Sequence, residues 1–302
     1  MSGASTAVLL SELGVLRARG ADARAFLQGQ LSNDLTRLGA DNTLLAGYHN
    51  PQGRVIALMR LAQLADDDLI ALLPRELIAG AAQRLTKFVL RSKVKLTDDS
   101  QAWQVHGILA GSDAPPALAG TAAPLARLGD ALALRLSAEP ARWLCVSPAG
   151  APPPPGLPPG ELLCWQRSTI AAGEPQVYAA TSEEFVAQML NLDVLGAIAL
   201  DKGCYTGQEV IARAHYRGRV KRRLQRFVSE TAAQLARAQA GALPDGRSFK
   251  VVDAVQLPDG RCEFLAVAPF LSERPAAEAP AVPAEAVLLA ARQLPLPYAL
   301  PA

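Results

Sequence analysis

"DKGCYTGQEVIARAHYRGRVKRR", Asp201 to Arg223, stands apart from a chain otherwise rich in Ala, Leu and Pro. It sets a cysteine between Gly203 and Tyr205, ahead of an arginine-dense run. Thr206-Gly207-Gln208-Glu209 has the spacing in which a hydroxyl accepts from the third helical amide while the carboxylate reaches back to the cap. The spacing predicts a helix starting just after Thr206, with Val210, Ile211 and Ala214 as its buried face, Glu209 and Arg213 paired at i,i+4, and Gly218 as its stop. Cys204 then lies in the turn that leads into a helix N-terminus.

That placement favours a thiolate. The first amides of a helix are unpaired and partly positive, and Lys202 lies two residues upstream of the sulfur. Cysteines so placed titrate below the ~8.5 of a free thiol and react at neutral pH. The same geometry receives a carboxylate or phosphate of a ligand. A second reading stands beside it, because free cysteine is among the most buried residue types and one between Gly and Tyr can simply fill a tight turn. The imidazoles available as a base are His49, His106 and His215. His215 falls on the helix after the motif with no spacing that brings it to the sulfur, and no hydrolase nucleophile signature surrounds Cys204.

Lys202 to Arg226 holds eight Lys/Arg against the single acid Glu209, so this window carries +7 and the rest of the chain −5 within a net charge of +2. A local basic face on an acidic body predicts an anionic partner or ligand at one place. Basic residues along "RVKRRLQRF" equally describe the solvated face of a strand. Aromatic interleaving is confined to Tyr205, Tyr216 and Phe227, which weakens a nucleic-acid reading.

Upstream, "GADARAFLQGQLSNDLTRL" predicts a helix with Ala23, Phe26, Leu27 and Leu31 inward and Asp22 as its cap. "GRVIALMRLAQLADDDLIALLP" predicts two strands about an acidic turn at Asp66 to Asp68. "RELIAGAAQRLTKFVL" predicts a helix with Leu77, Ile78, Ala81, Leu85 and Phe88 on one face, and "KVKLTD" a strand. "ALALRLS" and "RWLCVS" are expected to pair. The Pro-rich stretch at 148–160 is expected as an exposed loop. "ELLCWQRSTIAAG" and "TSEEFVAQMLNL" read as helices, the second with Thr181 and Glu184 at capping-box spacing. Downstream, "RLQRFVS", "SFKVVDAVQLPDGRCEFLAVAPF" and "LPLPYAL" read as short strands, with "SERPAAEAPAVPAEA" as a mobile loop between them. The expected domains are therefore an α+β body over 1–225 and a small all-β module over 226–302.

With 302 residues, half of them apolar, the chain has the material for a sizeable core. Its start lacks a basic n-region, and no run approaches the ~18 to 20 apolar residues of a membrane span, so a cytoplasmic protein without a membrane partner is expected. Four scattered cysteines without a Cys-x-x-Cys pair predict reduced thiols and no metal or cluster held by this chain alone.

"KGCYTGQEVIARAHYRGRVKRRL" resembles the signature of the YgfZ group within the YgfZ/GcvT superfamily, folate-dependent proteins that assist iron–sulfur cluster assembly and repair and are related to the glycine-cleavage aminomethyltransferase. "FLQGQLSNDL", "NPQGRV", "QMLNLDVLGAIALDKGCYTGQE" and "LPLPYAL" occur in the order expected of that group, so the resemblance spans nearly the whole chain. It implies an aminomethyltransferase-like folate-binding α+β fold with a central cavity, a small C-terminal β-barrel-like module, and tetrahydrofolate or a derivative as cofactor. Its functional loop maps to Lys202, Gly203, Cys204, Tyr205, Gly207, Gln208 and Glu209, with Arg213 bracing the loop through Glu209. Implied partners are iron–sulfur client enzymes such as radical-SAM tRNA-modifying ones. The thiol then has three roles open to it: accepting a folate-borne one-carbon unit, resolving an oxidised thiol, or briefly contacting a client's cluster.

Two departures separate the chain from the aminomethyltransferases. Where those enzymes carry an Asp-Asp pair, "GRVIALMRL" offers Ala57 and Leu58, which cannot ionise, so no turnover reaction is expected. The Tyr-Thr-Gly-Glu segment that grips the pterin is missing from "RWLCVSPAG", so the folate contacts are left unassigned. Two rivals remain: a folate-dependent methyl or aminomethyl transferase, and a tRNA-modification accessory protein binding RNA through the basic stretch.

Overall fold

The computed structural model of the chain describes residues 4–111, 118, 123–138, 140–154, 156–218, 220–270 and 287–301. In chain order the strands are β1 Thr6–Leu9, β2 Leu13–Arg19, β3 Leu44–His49, β4 Val55–Ala65, β5 Asp68–Pro74, β6 Lys95–Asp98, β7 Trp103–Leu109, β8 Leu125–Leu128, β9 Ala131–Ala138, β10 Ala141–Pro148, β11 Arg222–Ser229, β12 Ala240–Ala242, β13 Ser248–Gln256, β14 Cys262–Pro269, β15 Val287–Leu288 and β16 Ala291–Leu294. The helices are α1 Ala23–Gln28, α2 Arg75–Thr86, α3 Leu162–Ala171 and α4 Gln208–Tyr216. The result is an α+β chain in two units. The first comprises Met1–Tyr48, Ala57–Trp165 and Asp201–Tyr205, and the second His49–Ile56, Gln166–Leu200 and Thr206–Ala302.

The first unit is built on two five-stranded sheets, ordered β3-β4-β5-β2-β6 and β1-β7-β10-β9-β8. The near-continuous apolar run of β4 and β5 is what a strand buried on both faces requires, and the acidic turn falls between them as predicted. Val15, Ala62, Ile70 and Leu72 of one sheet share a core with Val105, Leu134, Leu144 and Val146 of the other, joined by Trp165 at the start of α3. The approach is close. A Cβ on Gly107 of β7 would stand 2.4 Å from the Trp165 ring, so only glycine fits opposite that indole. "ALALRLS" and "RWLCVS" pair antiparallel as β9 and β10.

Three local expectations for this unit need correction. Asp22 does not cap α1; its carboxylate accepts from the Lys93 amide at 2.6 Å. α2 ends at Thr86 with Ile78, Ala81 and Leu85 buried, and Phe88 beyond it is 51% exposed. The Pro-rich loop is not wholly exposed, since Leu157 is buried and the Ala7 amide donates to the Pro158 carbonyl along the edge strand β1.

The second unit carries a six-stranded sheet, ordered β15-β12-β13-β14-β11-β16, open between its two edge strands among the described residues. Phe227, Phe249 and Phe264 form its aromatic centre, with ring centroids 5.4 and 5.5 Å apart. "TSEEFVAQMLNL" is not an α-helix: it contains a short 3-10 turn over Ala187–Leu190, ended by Asn191 in the left-handed region, and the Thr181–Glu184 cap is absent. "LPLPYAL" is not a strand either. Pro295 and Pro297 remove ladder donors, the last strand ends at Leu294, and Tyr298 instead donates its hydroxyl to the Gly173 carbonyl at 2.7 Å. The expected loop "SERPAAEAPAVPAEA" lies outside the described residues.

Candidate functional site

The motif loop divides at Tyr205 between the two units. In the first, half-buried Lys202 donates its ammonium protons to three main-chain carbonyls, those of Gln28 at 2.5 Å, Leu31 at 2.7 Å and Asn33 at 2.8 Å. Three donors meet three acceptors, and burial pushes the amine down to about 8 against the opposing pull of Asp34. This corrects the expectation that Lys202 serves the sulfur. It is a loop anchor, and the "FLQGQLSND" segment supplies the oxygens that hold it.

Tyr205 is the second anchor. Its ring is buried, lies 5.2 Å below the Lys202 ammonium, and its phenol is pushed up to about 12 by burial. Asp201, just ahead of Lys202, pairs with Arg37 at 2.7 Å on the surface. Between the anchors Gly203 and Cys204 are exposed, and a Cβ on Gly203 would meet nothing within 4 Å. The cysteine is therefore no packing residue. Cys145 and Cys262, by contrast, are buried, and burial raises each thiol to about 11.

In the second unit the predicted helix is α4, but its cap is different. Gly207, at φ +84°, is the N-cap, and no side chain caps the helix, so the Thr206–Glu209 capping box does not form. A Cβ on Gly207 would lie 2.6 Å from the Asn50 carbonyl oxygen and 3.1 Å from the Gly53 Cα. The "TGQE" and "NPQGRV" turns thus pack backbone against backbone, which explains why both carry glycine. Asn50 organises its own turn by accepting from the Gln52 and Arg54 amides at 3.0 Å each, and it donates to Glu183 at 2.8 Å. Beside it His49 is fully buried, and burial lowers its imidazole to about 4 despite a hydrogen bond with the Gly53 backbone.

Gln208 opens α4 partly buried, and Ile211 is its buried residue. The Glu209–Arg213 pair is present at 3.9 Å, with side chains 91% and 75% exposed, so water screens it and it contributes little to stability. Of the imidazoles considered as bases, His215 is exposed against Tyr216 and His106 lies on β7 opposite Cys145. Neither belongs to the loop.

The strand end of the basic stretch turns inward. Arg223 is 4% exposed and gives both guanidinium branches to Asp193 at 2.8 and 2.9 Å, while Arg226 pairs with Glu263 at 2.5 Å. The strand's Arg223 and Arg226 are thus matched inside the unit, whereas Arg213, Arg217 and Lys221 of the same stretch are exposed. A different cationic strip was missed in the sequence: Lys87, Arg91, Lys93 and Lys95 are all exposed, none has a carboxylate partner among the described residues, and Phe88 and Leu90 are exposed beside them. The signal was available, because no Asp or Glu occurs between Arg84 and Leu96.

No family model matches the chain. An uncharacterized protein of Haemophilus influenzae is 30% identical over 225 residues, 74% of this chain and 74% of that protein. A protein named tRNA-modifying protein YgfZ, from Yersinia pseudotuberculosis, is 29% identical over 277 residues, covering 84% of this chain and 82% of its own. Among solved structures, the glycine cleavage system aminomethyltransferase T of Bartonella henselae superposes with a TM-score of 0.71 at 14% identity, covering 89% of this chain and 79% of that one. The chain belongs to the YgfZ/GcvT-like superfamily. Its aminomethyltransferase-like fold is that of the superfamily. Ala57 and Leu58 are both buried in β4 and offer no ionisable group. No helix among the described residues is long and apolar enough to cross a membrane.

Proposed function

We propose that this chain is a cytoplasmic auxiliary protein that binds a reduced folate and supports assembly or repair of iron–sulfur clusters in client enzymes, radical-SAM tRNA-modifying enzymes among them, with Cys204 as its reactive thiol. One observation carries the reading: half-buried Lys202, held by three carbonyls, and buried Tyr205 grip the loop from both sides and leave Cys204 exposed between them. Such a clamp fixes where a thiol meets a partner without covering it. The relatives named tRNA-modifying protein support tRNA modification as the setting.

A reduced folate requires acceptors for the amino and ring N–H groups of its pterin. Gln30, between the Gln28 and Leu31 carbonyls that hold Lys202, has a buried amide oxygen without a hydrogen-bond partner. This buried acceptor fits a folate's pterin N–H groups, and Gln30 would hold it. Bound there, the folate would supply one-carbon chemistry. Lys202 keeps the Gln28–Asn33 segment in place, and Cys204 provides the thiol. With Ala57 and Leu58 at the acid-pair position, the chain acts without turnover of its own.

Titration with reduced folates, read by the fluorescence of Trp103, Trp143 and Trp165, tests the cofactor. Saturable quenching that weakens in Gln30→Leu and Lys202→Ala is expected; no quenching by any reduced folate overturns it. Incubation with methylene-tetrahydrofolate and amine or thiol acceptors tests the enzymatic rival, whose mark is multiple turnover.

A second reading concerns RNA. The exposed cations Lys87, Arg91, Lys93 and Lys95, with no acid among them and Phe88 exposed beside them, favour phosphate and base contact on this strip over the exposed Arg213, Arg217 and Lys221, whose stretch contains Glu209 paired with Arg213. Filter binding with tRNA at physiological salt is expected to be lost in Lys93→Glu/Lys95→Glu and retained in Arg213→Glu. The reverse pattern overturns it.

A further inference from the structure

The second unit contains a cavity of about 240 Å³ whose walls include Phe185 and Met189 and which three cationic side chains, Arg54, Arg222 and Lys250, face together with one carboxylate, Glu184. The cations are not equivalent. Lys250 is paired with Glu184. Arg54 is exposed and gives one nitrogen to the carbonyls of Glu183 and Glu184, at 3.3 and 2.6 Å. Arg222 gives one nitrogen to the Ser248 carbonyl at 3.1 Å and has no carboxylate partner among the described residues.

β11 itself shows how unusual Arg222 is. Arg223 next to it is matched by Asp193, and Arg226 further along the strand is matched by Glu263. Arg222 is partly buried, as Arg226 is, but it faces an apolar wall instead. Desolvation by burial holds its pKa below the ordinary guanidinium value. A planar guanidinium beside apolar surface recognises a planar oxyanion with two parallel hydrogen bonds, and the low local dielectric strengthens them. Phe185 and the Met189 thioether offer the contacts that an aromatic ring prefers.

We propose that this cavity is a binding site for a flat organic anion, a ring bearing a phosphate or carboxylate, with the anionic group on Arg222 and Arg54 and the ring against Phe185 and Met189. Lys250 contributes less because Glu184 already neutralises it. The site lies within the second unit, whereas the three tryptophans that read folate binding lie in the first. Its test is therefore separable from that of the folate reading.

The experiment is calorimetric titration of the full chain with phenyl phosphate, benzoate, inorganic phosphate and benzyl alcohol. At least one of the two ring anions is expected to bind saturably, with inorganic phosphate and benzyl alcohol weaker by about tenfold or more. Arg222→Gln is expected to lose about tenfold, Arg222→Lys an intermediate amount, and Glu184→Gln to gain affinity by releasing Lys250. Melting curves establish that each variant is folded. Three results would overturn the proposal: no saturable binding of either ring anion, unchanged affinity in Arg222→Gln and Arg222→Lys, or inorganic phosphate binding as tightly as phenyl phosphate.

Discussion

Lys202 stands 5.2 Å over the Tyr205 ring, and the two residues between them, Gly203 and Cys204, are exposed. A cation held by three carbonyls and a buried ring therefore frame the thiol. Lys202 titrates near 8 in the fold against 10.5 when free, so between those values the unfolded chain binds more protons and stability rises with pH. Side-chain methylene NMR is expected to show one lysine titrating near 8, absent in Lys202→Met. That variant leaves three carbonyls without their donor and is expected to cost about 2 kcal/mol or more in denaturant melts.

The two motif glycines separate by substitution. Gly203→Ala meets open space and is expected to stay within about 0.5 kcal/mol of the parent. Gly207→Ala forces a Cβ into the left-handed region 2.6 Å from the Asn50 oxygen and is expected to cost about 1 to 3 kcal/mol. Equal stabilities of the two variants would refute the packing of the two turns.

His49 predicts an acid limb. Its pKa is lowered from 6.5 to about 4, so its contribution is present above pH 6.5 and is lost as pH falls toward 4, amounting to about 3 kcal/mol below both values. His49→Gln should flatten the pH dependence of the melting temperature in that window. An unchanged slope would place the acid sensitivity elsewhere.

Arg223 and Asp193 are buried partners with side chains 5% and 14% exposed. Arg223→Ala strands the carboxylate and is expected to cost about 3 to 5 kcal/mol, whereas Arg223→Met with Asp193→Leu should recover most of it. A surface role for Arg223 predicts instead a near-neutral single variant.

What was legible in the sequence follows the range of the interactions. The β4–β5 hairpin and the β9–β10 pair were readable because apolar runs and turn residues are local signals. The α4 start was misread by its cap, since Thr206 and Glu209 have the letters of a capping box while Gly207 takes the left-handed conformation that sets the helix. Lys202 was misassigned because its acceptors lie 169 to 174 residues away, where local spacing carries no information. The burial of Arg223 is of the same kind, its acid partner sitting 30 residues upstream.

The most direct test is complementation. In a strain lacking this protein, the level of a cluster-dependent tRNA modification is measured after expressing the parent chain or Cys204→Ser at equal abundance. An exposed serine leaves the Lys202 and Tyr205 anchors intact, so the variant should fold and yet fail to restore the modification that the parent restores. Full restoration by Cys204→Ser would contradict the account.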